Sequence, residues 1–375
     1  MLRQTRQPRP NWQQTVESQG MLYHTADDVP YWDESVYYEF TAAEIDTLEA
    51  ATYALDEMCL DAVQNVIDRD LLGRFGIAEP YRDFIRRSWE HDEHTIYGRF
   101  DLAYDGQGQP KLLEYNADTP TALLEAAVIQ WFWLKDCWPD GQQFNSIHDR
   151  LLEVFRTLRA ETQERFYFAA QAGSTEDCMT ANYLRDVAIQ AGFDTAYLNV
   201  EDLGWHAQRG AFTDLRENPI RLCFKLYPWE WMQTDAFGPN LLRAACRWFE
   251  PPWKALLSNK AILAILWELN PRSPYLLETA CEPLAGGNYV QKPILGREGA
   301  NIRIFENGEL FMETDGPYDG PAVYQEIFPL PRFDGKYFAV IGSWMVNGWA
   351  CGMGIREDEN LITGNLSRFV PHVFR

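Results

Sequence analysis

The chain has 375 residues, 46% of them hydrophobic and 23% charged, which suits one large multi-lobed enzyme or two to three tightly packed subdomains rather than a small module. Its formal charge of −22 argues against nucleic-acid binding, which draws on clustered Lys and Arg; it favours cationic partners, although acidity also serves plain solubility. No stretch approaches the ~18 apolar residues of a membrane span, and the basic N-terminus lacks the apolar core of a secretory signal, so a cytoplasmic protein without membrane contact is expected.

In chain order, Thr41-Ala42-Ala43-Glu44 is a capping box, and Ile45, Leu48, Leu55, Met58, Ala62 and Val66 follow at helical spacing, so a long amphipathic helix over 41–70 is expected. A second helix fits 80–91, ending in the charged Glu90-His91-Asp92-Glu93-His94, which reads as a solvated helix end rather than a metal site. Tyr97 to Asn116 changes to strand, turn, strand. Residues 121–160 read as mostly helical, with the apolar run Ala126 to Leu134 as core. An α/β alternation follows: strand 165–170, helix 177–191, strands 196–200 and 221–227, then helices near 240–249 and 259–269. From 288 onward the pattern is antiparallel β, with hairpins turned at Asn307-Gly308 and Asn347-Gly348. The seven cysteines are scattered without a CxxC pair, so reduced, mostly buried thiols are expected. With no repeat or long linker, the chain reads as one interleaved unit over 1–375, with approximate lobes at 1–160, 161–255 and 256–375.

The hairpin at 97–116 concentrates chemistry. Side chains alternate along a strand, so Arg99 and Asp101 share one face and Glu114 and Asn116 share another. If Tyr104 pairs with Lys111, Asp101 lies opposite Glu114 and Arg99 opposite Asn116, all on one face. Two facing carboxylates with an amide oxygen beside them suit magnesium, and Arg99 suits a phosphate or developing oxyanion; a merely solvated hairpin face is the alternative.

Two lysines have the placement a nucleotide needs. Lys260 opens a helix, and Lys292 sits inside the apolar strand Tyr289 to Ile294, where an unpaired ammonium is costly. The turn Gly296-Arg297-Glu298-Gly299-Ala300-Asn301 can fold over phosphates or serve as an ordinary connection, and no GxxxxGK[ST] loop is present. Tyr324-Gln325-Glu326-Ile327-Phe328 reads as a core strand able to meet an adenine at its end, and Arg356 reads as a surface salt bridge or a phosphate contact.

Together, Arg99-Phe100-Asp101, Leu113 to Thr121, Phe224 to Glu230, Ser258-Asn259-Lys260, Lys292-Pro293-Ile294 with the glycine turn, and Gly352 to Asp358 resemble the synthetase domain of the glutathionylspermidine synthase family, from about Trp12 to Phe374. The resemblance implies an α/β, ATP-grasp fold in the circularly permuted arrangement of glutathione synthetase. It also implies a carboxylate–amine ligase that uses ATP and Mg2+ through an acyl phosphate, on small-molecule substrates such as a peptide carboxylate and an amine or polyamine. By matched position, Asp101, Glu114 and Asn116 would hold magnesium, and Arg99 and Arg356 would steady the transferring groups. Lys260 and Lys292 would bind phosphates, with Gln325 and Glu326 near the adenine. Arg297 would close over the acyl donor, Thr119 and Thr121 would contact it in place of the serines of better-known members, and Glu201 and Asp202 would receive a polyamine. No Cys-His amidase domain is expected, since residues 1–40 are too short for one. The competing classes are an ATP phosphotransferase without a ligation step and a non-catalytic nucleotide-binding homologue.

Overall fold

The computed structural model describes residues 1–26 and 28–375. Its centre is a six-stranded antiparallel sheet that draws on both halves of the chain. In order, it runs Arg368–Val370, Trp349–Asp358, Tyr337–Val346, Tyr97–Ala103 and Lys111–Asn116, with Arg332–Phe333 pairing Tyr337–Val346 off that path. The early hairpin and the late one are therefore neighbours, with Asp101 facing Gly342 and Arg99 facing Trp344 across the shared ladder.

The long helix forms as expected, over Ala42–Asp68, with both halves of the Thr41–Glu44 capping box made. Its buried stripe, including Leu48, Leu55, Cys59, Ala62 and Val66, packs under the sheet, and Thr52 on that face hydrogen-bonds Ser343 across the contact at 2.6 Å. A four-stranded parallel sheet, ordered Arg247–Phe249, Leu222–Leu226, Phe166–Ala170, Thr195–Asn199, forms a second body. Its two central strands are buried at every position, which is why they read as unbroken apolar runs rather than alternating ones. A five-stranded antiparallel sheet, ordered Thr279–Ala280, Ala322–Glu326, Tyr289–Pro293, Arg303–Glu306, Glu309–Glu313, makes the third. The termini close on each other, since His372–Phe374 lies parallel to Val36–Phe40, which also pairs Leu2–Thr5.

Four expectations need correction. The segment at 240–249 is not helical: a 3-10 turn at Gly238–Asn240 leads to the strand Arg247–Phe249, because the edge of the parallel sheet beside Leu222–Phe224 overrides the helical propensity of Leu241 to Cys246. In the acid hairpin the expected facing pairs Arg99–Asn116 and Asp101–Glu114 hold, but Lys111 pairs Ala103, not Tyr104, because a bulge follows Asp101. The run Ala126 to Leu134 begins as a π-helical turn, Glu125–Ile129, and although Trp133 and Leu134 are core, Trp131 and Phe132 are exposed. Of the cysteines, all free, Cys59, Cys223 and Cys351 are buried, three are half-buried and Cys281 is exposed.

Candidate active site

Two clefts meet on the acid-bearing face of the central sheet. The larger, ≈ 280 Å³, runs between the sheet, the carboxyl end of the parallel sheet and the glycine turn at 296–301. The smaller, ≈ 120 Å³, lies between the five-stranded sheet and the segment around Leu361–Thr363. Asp101 and Glu114 line both, so the carboxylate pair stands at their junction.

Strand alternation and the observed register bring Arg99, Asp101, Glu114 and Asn116 together as expected. Arg99 grips Asp101 with two bonds, Nε to Oδ1 at 2.7 Å and Nη2 to Oδ2 at 3.0 Å, and donates a third to the Thr121 carbonyl at 2.8 Å. Asn116 Nδ2 donates to Asp101 Oδ2 and to Glu114 Oε1, each at 3.1 Å. Position 342 has to be glycine, since a Cβ there would lie 2.8 Å from Cδ of Arg99. Lys260 reaches Glu114 Oε2 at 2.9 Å and donates to the Gly296 carbonyl at 2.7 Å, tying the junction to the glycine turn. Lys292 donates to the Leu113 carbonyl at 3.0 Å and to Gln325 Oε1 at 2.7 Å.

Charge at the junction follows from this packing. Burial alone would lift the Glu114 carboxyl, but Lys260 and Lys292 outweigh it and hold it down to about 2. Burial lifts Asp101, opposed by Arg99, so Glu114 ionises first in the pair. Burial depresses the Lys292 ammonium to about 8, against the pull of Glu114 and with the added push of Lys260.

The donor set fits a hard cation. Asp101, Glu114 and Asn116 offer oxygens on one face, and the Asn116 amide needs only a half-turn to present oxygen in place of nitrogen. Among the described residues no three His, Cys, Asp or Glu side chains gather closely enough to hold a metal by themselves. A cation here would therefore share its coordination with a ligand, as Mg2+ does with phosphates.

The remaining predicted residues divide between the clefts. Thr119, Thr121, Arg297 and Arg356 line the larger one. Arg297 bridges Thr119 Oγ1 at 2.8 Å and Glu230 Oε1 at 2.6 Å, while its Nε is buried without a partner among the described residues. Among the described residues Arg356 makes no salt bridge, unlike the surface ion pair that is one of its two expected roles. The segment at 364–367 folds back over it, and its guanidinium donates to the carbonyls of Gly364, Asn365 and Ser367 and lies over the Tyr31 ring. Gln325 and Glu326 line the smaller cleft with apolar neighbours such as Val290, Ile304 and Phe328. Glu201 faces a separate cleft beside the first, sharing Tyr227 with it, and accepts from the Ala172 amide; Asp202 lines neither and is held by Asn199 at 3.0 Å.

Several contributors escaped the sequence reading. Asp118 and Lys225, both fully buried, form an ion pair behind Thr119, and Asp118 also accepts the Trp229 amide at 3.0 Å. Their motifs carried the signal, but not their pairing. Ser174 and Asp177, at the start of the helix Thr175–Gln190, line the larger cleft. Close to Arg356, burial pushes the Glu125 carboxyl up to about 7, with Glu176 adding repulsion, and among the described residues Glu125 Oε1, Tyr31 Oη and Glu176 Oε1 are buried without a hydrogen-bond partner.

Comparison with known proteins agrees with this architecture. Residues 3–375 match the family described as glutathionylspermidine synthase preATP-grasp, and the chain belongs to that family. A Haemophilus influenzae protein named "Putative acid–amine ligase" is 42% identical, covering 98% of this chain and 97% of its own. Trypanothione synthetase of Crithidia fasciculata and the bifunctional glutathionylspermidine synthetase/amidase of Escherichia coli are each 31% identical, over 84% and 89% of this chain. The chain spans only 53% and 58% of those two longer relatives. A glutathione synthetase-like effector from Globodera pallida, solved in its apo form, superposes with a TM-score of 0.58 at 9% identity, covering 99% of this chain and 98% of that one. The fold is thus mixed α/β of the ATP-grasp type, and the chain is an enzyme of the C–N ligase class.

Proposed function

We propose that this member of the glutathionylspermidine synthase preATP-grasp family joins a carboxylate to an amine at the expense of ATP, through an acyl phosphate, with ADP as co-product. The observation that carries the reading is the junction. A carboxylate pair, neutralised by Arg99 on one side and lysines on the other, lies where an apolar slot opens into a polar cleft. In this reading the nucleotide lies in the smaller cleft, its adenine between apolar walls and beside Gln325 and Glu326, its phosphates against Lys260 and Lys292. The acid and the amine share the larger cleft.

Asp101, Glu114 and Asn116 hold Mg2+, which when bound supplies charge neutralisation at the ATP phosphates. The chain's own contribution is positioning and electrostatics. Lys292 neutralises charge on the transferring group, Lys260 couples that group to the glycine turn, and Arg99 and Arg356 face the reacting carboxylate from the larger cleft. The amine attacks the acyl carbon, the C–O bond to phosphate breaks, and the surplus amine proton leaves with solvent or a neighbouring carboxylate. Arg297, with one N–H unspent, closes on the acyl donor beside Thr119 and Thr121. Asp177 and Glu298 give that cleft an acidic wall suited to an ammonium group, while Glu201 and Asp202 are farther candidates for a long amine.

The test is incubation of the purified protein with ATP, Mg2+ and glutathione, with and without spermidine, the pair suggested by the name of the Escherichia coli relative. ADP release and a new amide by mass spectrometry, each dependent on both substrates, are expected. ADP release with a stable phosphate ester would instead identify a phosphotransferase. No ADP release across a panel of peptide acids and amines would overturn the reading.

A further inference from the structure

A further cleft, ≈ 260 Å³, opens on the opposite face of the central sheet. On the strand Lys111–Asn116 the side chains of Glu114 and Asn116 point to the junction already described, whereas Tyr115 between them faces this rear cleft. Its ring stacks on Phe100 with centroids 3.8 Å apart, and its hydroxyl lies over Gly98, where a Cβ would come within 2.6 Å of it. Tyr97 and Met345, which flank and pair Gly98, also line the cleft. Tyr115 is 5% exposed, yet its hydroxyl makes no hydrogen bond among the described residues. The ring is packed away while the hydroxyl opens into the cleft, where a group that enters can pair with it.

The charge around it is one-sided. Asp56, from the long helix, lines the cleft half-buried and, among the described residues, makes no hydrogen bond or ion pair, and Asp92 and Glu93, the latter accepting from the Ser88 hydroxyl, stand at the rim. The lining lysine, Lys254, is already spent: its ammonium points inward to Glu250 Oε2 at 2.8 Å and the Tyr97 carbonyl at 2.6 Å. His94, also at the rim, is engaged with Glu161 at 3.0 Å. Trp253, braced edge-on against Trp89, provides an aromatic wall. Among the described residues, no three carboxylates lie close enough together to suit a metal ion. Charges spread along a slot with an aromatic side match a cation whose charge is carried on an organic frame.

We propose that this rear cleft is a binding site for an organic ammonium ion, its N–H groups donating to Asp56 and to the Tyr115 hydroxyl and its carbon frame against Trp253. The site is separate from the catalytic junction and stands on the other side of the same strand.

The probe is 1,4-diaminobutane, titrated by calorimetry into the protein without nucleotide, with hydrogen exchange to locate it. Protection is expected in the segments 89–97 and 253–257. Asp56→Asn is expected to weaken this binding at least about tenfold, the scale of one hydrogen bond to a charged group, and to remove the protection while leaving basal turnover unchanged. Tyr115→Phe, which keeps the packed ring, is expected to weaken binding by a smaller factor. Equal affinity in Asp56→Asn, protection confined to the larger front cleft, or the same protection from Mg2+ alone would each overturn the proposal. Because the readout needs no turnover, its failure and that of the ligase reading are separable.

Discussion

Two of the buried sets of lysine and carboxylate are built to opposite ends. Asp118 and Lys225 are sealed: each is about 1% exposed, the pair is closed by the Trp229 amide, and the Trp229 ring lies 4.5 Å from the ammonium. Burial pushes Asp118 up and Lys225 down, each answered by the other's charge. At the junction, Glu114 faces two lysines, and Lys292 must make do with a carbonyl and an amide oxygen. The sealed pair has nothing left to bind and can only hold the 117–121 segment against the parallel sheet. The open set has surplus positive charge beside a cleft, the condition that an anionic ligand completes.

That contrast can be broken from either side. Removing one partner of the sealed pair strands a buried charge, so Asp118→Ala is expected to cost about 3–5 kcal/mol of stability, read as a lowered denaturation midpoint with turnover lost alongside. If the midpoint barely moves, the pair is not the brace described. Arg99→Ala and Lys292→Met act at the open set, and each is expected to lower turnover roughly 100- to 1000-fold, the scale of one electrostatic stabiliser, with a near-native midpoint. Near-full activity in either variant would remove that residue from the proposed machinery.

A smaller effect is expected at Glu125, buried beside Tyr31 and Glu176. Its folded-state carboxyl titrates near 7, above the ordinary 4.5, because it is buried. The unfolded chain therefore releases this proton first as pH rises, and the stability the protonated group contributes is lost between about pH 4.5 and 7. Glu125→Gln, neutral throughout, is expected to be more stable than the parent at pH 8 by about 1–3 kcal/mol and close to it at pH 4.5. A difference that does not change with pH would show that Glu125 is charged in the folded protein.

The sequence made the open set far more legible than the sealed one, for a physical reason. Two-residue alternation places Arg99 with Asp101 and Glu114 with Asn116 whatever the rest of the fold does, and the facing pairs follow once a hairpin is assumed. The bulge after Asp101 that moves Lys111 opposite Ala103 leaves no mark in that alternation, and the expected register failed there. Asp118 meets Lys225, and Tyr31 meets Glu125, only because separate elements pack together, which no local pattern encodes. For Arg356 the residues alone leave a surface ion pair and a phosphate contact both open, because the turn that caps it, Gly364 to Ser367, lies in a segment without periodicity. The helix expected near 240–249 failed differently: local propensity lost to the pairing needs of a sheet edge.

The subtlest consequence of leaving the open set incomplete concerns pH. Burial holds the Lys292 ammonium near 8, so at pH 7 most molecules carry the charge and at pH 9 few do. An anion that binds beside Lys292 favours the protonated form and must recruit that proton when pH is high. ADP affinity, measured by calorimetry with Mg2+ present, is therefore expected to fall by up to about tenfold between pH 7 and pH 9, since each unit above the group's own value costs at most one factor of ten. Lys292→Arg, whose guanidinium stays charged over this range, is expected to bind ADP with little change across the same interval, even if more weakly overall. An unaltered fall in the arginine variant would assign the pH dependence to another group, and a flat profile in the parent would mean that Lys292 is not the open cation beside the phosphates.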